Sequence, residues 1–430
     1  MQVEIQKIVY PGRSLGFAQG KAVFTDSGLP GETVEIEPIA EKKNHIEART
    51  IRILRASPQR VEARCEHYRA CSPYQIITYP YQLEVKKAQL RELFGHDLKI
   101  ELENFDLTPS PQVWGYRNKA RLRVLWREGT AALAYHEPGL RDEFIAIDGC
   151  YLLVDGLDSL LHEIVRVLTA KNLEAVEEIE IKQSTSNQSS LLSLYLRRTL
   201  EKEKLESLFS ELKSGFPEVG LRGFLRAGNS TKQVFARGRD SIEEKVAGRV
   251  FRIGPRSFFQ VNTGQLENVI DEMKRCLSLK GSEKLADLYC GVGTFGVILA
   301  PDVREVFGVE SDPENITFLK RNIGMNHVGN FSVCEGTSEG WAEELLDKRL
   351  DVILLDPPRK GVDERVCQAL LARPAKLVLY LSCNPATLAR DLKRLLRIYR
   401  LRTIRGFDFF PHTPHIETLA VLDRAKQRDL

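Results

Sequence analysis

Lys284-Leu-Ala-Asp-Leu-Tyr-Cys290 is an apolar, strand-like run that opens directly into Gly291-Val-Gly293-Thr-Phe-Gly296 and a helical Val297 to Ala300. Strand, glycine-rich turn and helix in that order commit the region to a βαβ arrangement, because the glycines let backbone approach a ligand closely at a helix N-terminus. The alternation continues downstream. Strand-like Glu305-Val-Phe-Gly-Val309 ends in Glu310, an acid suited to holding ribose hydroxyls. Leu350-Asp-Val-Ile-Leu-Leu355 leads into Asp356-Pro-Pro-Arg359-Lys-Gly361, where two prolines after an acid make a stiff extended loop over the sheet's carboxyl edge. Nicotinamide, flavin and sulfonium cofactors all use such turns, so these features predict a nucleoside cofactor without naming it.

The apolar run Lys376 to Leu381 ends at Ser382-Cys383-Asn384-Pro385, just before a helix start. A structural cysteine is ordinarily one more small hydrophobe inside such a run. Cys383 instead lies past its end, where open α/β sheets present reactive groups, which makes it a candidate nucleophile. Related Asp-Pro-Pro loops occur in adenosylmethionine-dependent enzymes that act on bases. Those that methylate exocyclic amines usually place an aromatic residue after the prolines; Arg359 stands there in this chain and argues against such an acceptor.

The rest of the chain suggests contact with nucleic acid. Residues 1–58 alternate short β-like runs with the turn signals Pro11-Gly12, Ser27-Gly28 and Pro30-Gly31, and they precede a stretch carrying Lys42, Lys43, Arg49, Arg52, Arg55 and Arg60. That pattern predicts a small β-barrel with a basic flank. In Arg117-Asn-Lys119-Ala-Arg121-Leu-Arg123 cations recur at every second position, so a strand there carries them on one face. With Trp114, Tyr116 and Trp126 nearby, that face is a candidate surface for single-stranded RNA; the alternative is a solvated sheet face with carboxylate neighbours. Because the net charge is only +3, any affinity for RNA must come from such local surfaces. Eight cysteines in 430 residues are too sparse for a disulfide scaffold. The start, MQVEIQKIVY, reads as neither signal peptide nor membrane span, and the chain is expected to be cytoplasmic, with no membrane and no obligate protein partner.

Five motifs in order then make the chain resemble the RNA uracil-C5 methyltransferases. They are Ser257-Phe-Phe-Gln260-Val-Asn262, Asp287-Leu-Tyr-Cys-Gly-Val-Gly293, Asp356-Pro-Pro-Arg359, Ser382-Cys-Asn-Pro385 and His415-Ile-Glu417-Thr418. The N-terminal segment is similar to a TRAM-type OB barrel through Gly16-Phe-Ala18 and Leu29-Pro-Gly-Glu32. The resemblance implies a multidomain α/β fold: an OB-like β-barrel (1–58), a central α+β domain (59–250) and a C-terminal Rossmann-like methyltransferase domain (251–430). It implies S-adenosyl-L-methionine as cofactor, held by Gln260, Tyr289, Thr294, Glu310 and Asp356, a nucleophile at Cys383 and a base at Glu417. Many relatives carry asparagine at the position of Thr294, whose hydroxyl can still hydrogen-bond.

The implied chemistry accounts for these residue types. Uracil C5 is too weak a nucleophile to take a methyl group unaided, so a thiolate adds at C6 and pushes electron density to C5. A base must afterwards remove the C5 hydrogen before the thiol can leave. A stacked uracil hides C6, so the target is a loop or flipped-out nucleotide. The barrel makes the domain content resemble the 23S ribosomal RNA branch; the same chemistry on transfer RNA or cytosine, and a non-catalytic RNA-binding or ribosome-assembly factor, are the alternatives. That branch usually carries Cys-x5-Cys-x2-Cys and a distant fourth cysteine as ligands of a [4Fe-4S] cluster. Here Cys65, Cys71 and Cys150 fit three of these positions and Tyr74 occupies the remaining one. The outcomes left open are a cluster with another fourth ligand and three reduced cysteines in a packed domain.

Overall fold

A computed structural model describes residues 1–100, 105–138, 142–228 and 230–425. The first five strands, Gln2–Val9, Arg13–Ala18, Lys21–Thr25, Thr33–Glu41 and His45–Arg55, close into a barrel with the fifth between the third and fourth. Alternation explains the closure: Val3, Ile5, Val23, Val34, Ile36, Ile46 and Ala48 point inward as one buried cluster, while their chain neighbours face out.

The eight-stranded catalytic sheet runs, edge to edge, Phe331–Glu335, Glu305–Glu310, Lys284–Leu288, Val352–Leu355, Leu377–Ser382, Glu417–Arg424, Tyr399–Phe407 and Asp106–Thr108. Its central strands are buried along their whole length, as in Val352-Ile-Leu-Leu355, because helices cover both faces. Burying one such leucine or isoleucine is worth about 1.5–3 kcal/mol, so the apolar runs visible in the sequence drive this sheet. Glu417–Arg424 is antiparallel to both of its neighbours, the one reversal among otherwise parallel pairs of this sheet.

A separate seven-stranded sheet holds Lys119–Arg127, Val176–Gln183 and Ser190–Leu196 at its middle. The Leu157–Ala170 and Lys202–Gly215 helices cover one face through Leu160, Ile164, Leu168, Leu205, Leu208 and Leu212. The strand-like reading of Ser190 to Leu196 and the helical reading around Leu153 to Leu168 correspond to elements here.

Residues 59–250, however, do not form one unit. The Tyr79–Leu98 helix puts Leu90 and Phe94 into the core of the catalytic sheet, beside the Pro385–Leu395 helix, and Asp106–Thr108 forms the edge of that sheet by pairing with Tyr399–Phe407. A three-residue strand is too short to show a period in sequence, and its partner lies almost three hundred residues downstream. Among the described residues no helix is long and apolar enough to cross a membrane.

Candidate active site

Cys383 follows the last residue of the Leu377–Ser382 strand, and Asn384 caps the next helix by accepting from the Ala386 amide at 3.2 Å. The antiparallel register pairs Leu381 with Leu419 and Ser382 with Thr418; one further step sets Cys383 opposite Glu417. The Cys383 thiol feels the charge of Glu417, and both side chains feel Asp356 and Arg359. Burial comes first among the causes and pushes the Cys383 thiol up to about 11; Glu417 and Asp356 raise it further while Arg359 lowers it. Glu417 is only 3 % exposed, and burial drives its carboxyl well above the usual range. Its Oε2 is buried without a hydrogen-bond partner.

The Asp356-Pro-Pro-Arg359 loop is fixed from the helix that follows Cys383. Asn384 Nδ2 donates to Arg359 O at 3.1 Å, Arg390 donates to Lys360 O at 2.9 Å, and buried Asp391 accepts from Val362 N at 2.9 Å and Tyr380 OH at 2.8 Å. Gly361, at φ +81°, passes so close that a Cβ would lie 2.5 Å from Asp391 Oδ2, which only glycine permits.

The remaining expected cofactor residues line the carboxyl edge of the same sheet. Glu310 accepts from the amides of Gly291 at 2.9 Å and of Ser311 and Asp312 at 2.7 Å each, so it ties the glycine turn to the neighbouring strand. Gly291 has nothing within 4 Å of where a Cβ would stand, leaving its backbone open to a ligand. Tyr289 takes a left-handed φ of 66° beside it, its ring packed on the core, and Thr294 opens the following helix. Asp287 is fully buried with Oδ2 on the Gly296 amide and Oδ1 unpartnered; burial, with Asp356 and Glu310 adding to it, raises its carboxyl to about 8. Asp356 is pushed up to about 7 by burial. Four carboxyl groups thus share this edge, with Arg359 the cation felt by the Cys383–Glu417 pair. A cluster of carboxyls beside an open glycine turn, with Asp287 Oδ1 and Glu417 Oε2 unpartnered, fits a nucleoside ligand that carries a positive charge.

Gln260 is buried on the loop before the Thr263–Leu277 helix. Sequence reasoning missed what holds that loop. Buried Lys182, from the seven-stranded sheet, donates to the carbonyls of Gly254, Pro255 and Ser257 at 2.7–2.9 Å, and Glu314 accepts from the amides of Arg256 and Ser257. It also missed the supports of the loop before Glu417. Lys86 reaches Asp408 at 2.6 Å with both side chains fully buried, and Gln82 accepts from the His412 amide at 2.9 Å. Neither Lys86 nor Gln82 carries a local signal, since each acts on residues over three hundred positions away.

Two expectations change. The cations of the Lys119–Arg127 strand do not form a free basic row: Lys119 meets Glu180 at 3.0 Å, Arg121 meets Glu178 at 2.5 Å and Arg123 meets Glu177 at 3.8 Å, all from the adjacent strand, while Arg117 turns inward against Tyr116 and Tyr135. Those carboxylates neutralise the face, which is the solvated-sheet alternative. On the barrel, Lys42, Arg52 and Arg55 also have acidic partners, but Lys43 and Arg49 make no ion pair among the described residues.

The cysteine positions also fail to supply four thiolates. Cys71 and Cys150 lie against each other and His67 lies against Cys65 and Cys150, so three thiols do gather. Tyr74, however, is turned away into a cluster with Ile8, Leu29, Ile76, Ile77 and Val85, its hydroxyl accepting from Gln89 at 3.0 Å. Among the described residues no three His, Cys, Asp or Glu side chains are spaced to hold a metal ion. The set does not fit a four-thiolate cluster.

The tRNA (uracil-5-)-methyltransferase family model matches residues 78–425. The chain belongs to that family. It is 30% identical to an uncharacterized RNA methyltransferase of Bacillus cereus over 99% of this chain and 97% of the relative, and 31% identical to one of Listeria monocytogenes over 97% and 96%. Among solved structures it is similar to the Pyrococcus abyssi tRNA (uracil-54, C5)-methyltransferase in complex with S-adenosyl-L-homocysteine, with 25% identity, 98% of this chain and 100% of the other covered, and a TM-score of 0.76. As a member of the family the chain is an RNA methyltransferase.

Proposed function

We propose that this enzyme methylates C5 of a uracil in folded RNA, with Cys383 as nucleophile and Glu417 as the base. The observation that carries the reading is the strand reversal that sets Cys383 opposite Glu417, at the edge shared with Asp356 and Arg359. S-adenosyl-L-methionine supplies an electrophilic methyl group on a positively charged sulfur; Gln260, Tyr289, Thr294, Glu310 and Asp356 are the residues that would hold it. Cys383 Sγ adds to C6 as thiolate, and the electron pair of the C5–C6 double bond moves to C5 and O4. Arg359 favours this step as the chain's own cation, lowering the thiol's pKa. Once C5 carries the methyl group, ionised Glu417 takes the C5 hydrogen as a proton. The double bond re-forms and Cys383 leaves as thiolate. Burial makes Glu417 a stronger base than an exposed carboxylate, which suits removal of a weakly acidic carbon-bound proton.

The expectation of 23S ribosomal RNA rests on the presence of the barrel. The P. abyssi enzyme, whose name specifies transfer RNA, aligns over 98% of this chain, so the barrel is common to both substrate classes. Transfer RNA therefore stands beside 23S ribosomal RNA as the proposed substrate, and mapping 5-methyluridine in both RNAs with and without the protein decides between them.

The chemical test uses methyl-labelled cofactor, a uracil-containing RNA and a denaturing gel. Glu417→Gln should transfer the methyl group and stall as a labelled protein–RNA adduct. Cys383→Ala and the double variant should give none, because steps in series are not additive. Turnover by Cys383→Ala above a few per cent of wild type refutes the nucleophile, and slow turnover of Glu417→Gln without adduct refutes the base.

A further inference from the structure

We infer that the N-terminal barrel forms one wall of the uracil pocket, and that Tyr10 on its first turn contacts the target base across from Cys383. The inference rests on the reading of Cys383 and Glu417 given above. Its ground is where the turn sits. Tyr10-Pro11-Gly12 joins the Gln2–Val9 and Arg13–Ala18 strands and is pressed onto the loop that leads to Glu417: a Cβ on Gly12 would lie 2.9 Å from Pro414 Cβ and 3.6 Å from Tyr74 Cε1. Several bonds fix that seat. Tyr74 N donates to His412 O at 2.9 Å, Gln89 Nε2 donates both to Ile8 O at 3.1 Å and to Tyr74 OH at 3.0 Å, and Lys7 pairs with Glu92 at 2.5 Å. Tyr74, at the position where a cluster ligand was expected, is thus the wedge between barrel and catalytic domain.

Docked this way, Tyr10 is half-buried, and the charged groups its phenol senses are Arg359, Cys383 and Glu417. Its hydroxyl makes no hydrogen bond among the described residues, although the residues around it on the turn are tied down. Burial, the largest influence on it, raises the phenol above its ordinary pKa, so at neutral pH it is a donor. Uracil presents carbonyl oxygens at C2 and C4. A phenol held over the pocket by a rigid turn can donate to one of them, and that bond strengthens as negative charge builds on the ring after thiolate addition. The barrel therefore acts on the target base itself as well as on distant phosphates.

The test compares wild type, Tyr10→Phe and Tyr10→Ala in kcat and KM for RNA, S-adenosyl-L-homocysteine binding and melting temperature, with Cys383→Ala alongside. Tyr10→Phe keeps the ring and loses only the donor, so kcat/KM should fall about tenfold, one strong hydrogen bond's worth, with cofactor binding and melting unchanged. Tyr10→Ala should fall further. Wild-type kcat/KM in Tyr10→Phe overturns the inference, as does a loss accompanied by a lowered melting temperature, which marks a merely structural role. If Cys383→Ala retains turnover, the underlying reading of the site fails; if it is inactive while Tyr10→Phe is unimpaired, only this inference fails.

Discussion

Replacing Lys86 by methionine tests whether the segment before Asp106 holds the catalytic loop in place. Lys86 Nζ lies 2.6 Å from Asp408 Oδ1 with both side chains fully buried, and it also donates to Phe410 O at 3.1 Å. Asp408 Oδ2 already lacks a hydrogen-bond partner, and its neighbour Tyr79 offers a neutral hydroxyl in place of the ammonium. Methionine fills the same volume without the ammonium. Stranding one half of a buried ion pair costs about 3–5 kcal/mol, and the lost bond to Phe410 adds about 1 kcal/mol. Removing both charges together, as in Lys86→Met with Asp408→Leu, should recover most of the loss, because a well-packed apolar pair is often as stable as a buried ionic one. Urea unfolding followed by tryptophan fluorescence reads the transition; kcat on RNA reads the loop, which ends at Glu417. The single variant should unfold at markedly lower urea and lose kcat, and the double variant should regain stability. A loss below about 1 kcal/mol in the single variant, or no recovery in the double, would refute the reasoning.

Three further outcomes follow from the same geometry. Arg121→Ala with Arg123→Ala should leave the salt dependence of RNA binding unchanged, because both cations are spent on glutamates, whereas Lys43→Ala with Arg49→Ala on the barrel should flatten it; filter binding across a salt series distinguishes the two surfaces. S-adenosyl-L-methionine should bind more tightly as pH rises from 6 to 8, since a cation prefers ionised carboxylates and Asp356 and Asp287 are held up to about 7 and about 8; calorimetry should show proton release, and a flat pH profile refutes the electrostatic account. Tyr74→Cys should lower the melting temperature by loosening the barrel, at a cost of about 3–5 kcal/mol for losing a buried aromatic ring, without bringing iron to four per chain in anaerobic preparations.

Much of the catalytic sheet is legible in the sequence because its strands are buried on both sides. Val352-Ile-Leu-Leu355 and Leu377-Val-Leu-Tyr380 announce themselves as continuous apolar runs, and the glycine turn after Asp287 announces the ligand edge. The Lys119–Arg127 strand is equally legible as a strand, yet its charge is not. Periodicity reveals that Arg121 and Arg123 share a face, but whether that face is basic depends on Glu177, Glu178 and Glu180 of a strand brought alongside by the fold. The same limit applies to Cys383 and Glu417. Each stands in a recognisable motif, and only the antiparallel pairing of the final strand brings the two together.

Tyr74 shows how a departure from a family pattern can be read once packing is known. As a sequence feature it is a lost ligand, and the natural question is whether iron still binds. In the fold its ring fills the seam where Ile8 and Leu29 of the barrel meet Ile76, Ile77 and Val85, and its amide holds His412 O. A cysteine there would offer a thiol but surrender most of that buried contact. The loop from Asp408 to His415 would keep its bonds to Lys86, Gln82, Tyr116 and Asn262, but the barrel's first turn would rest on an emptied space beside Pro414. A cluster ligand and a docking wedge place opposite demands on one side chain, since a ligand must turn toward Cys65, Cys71 and Cys150 while a wedge must turn away from them. This chain has the wedge, and the alignment of Glu417, the proposed base, with Cys383, the proposed nucleophile, depends on the seam that it fills.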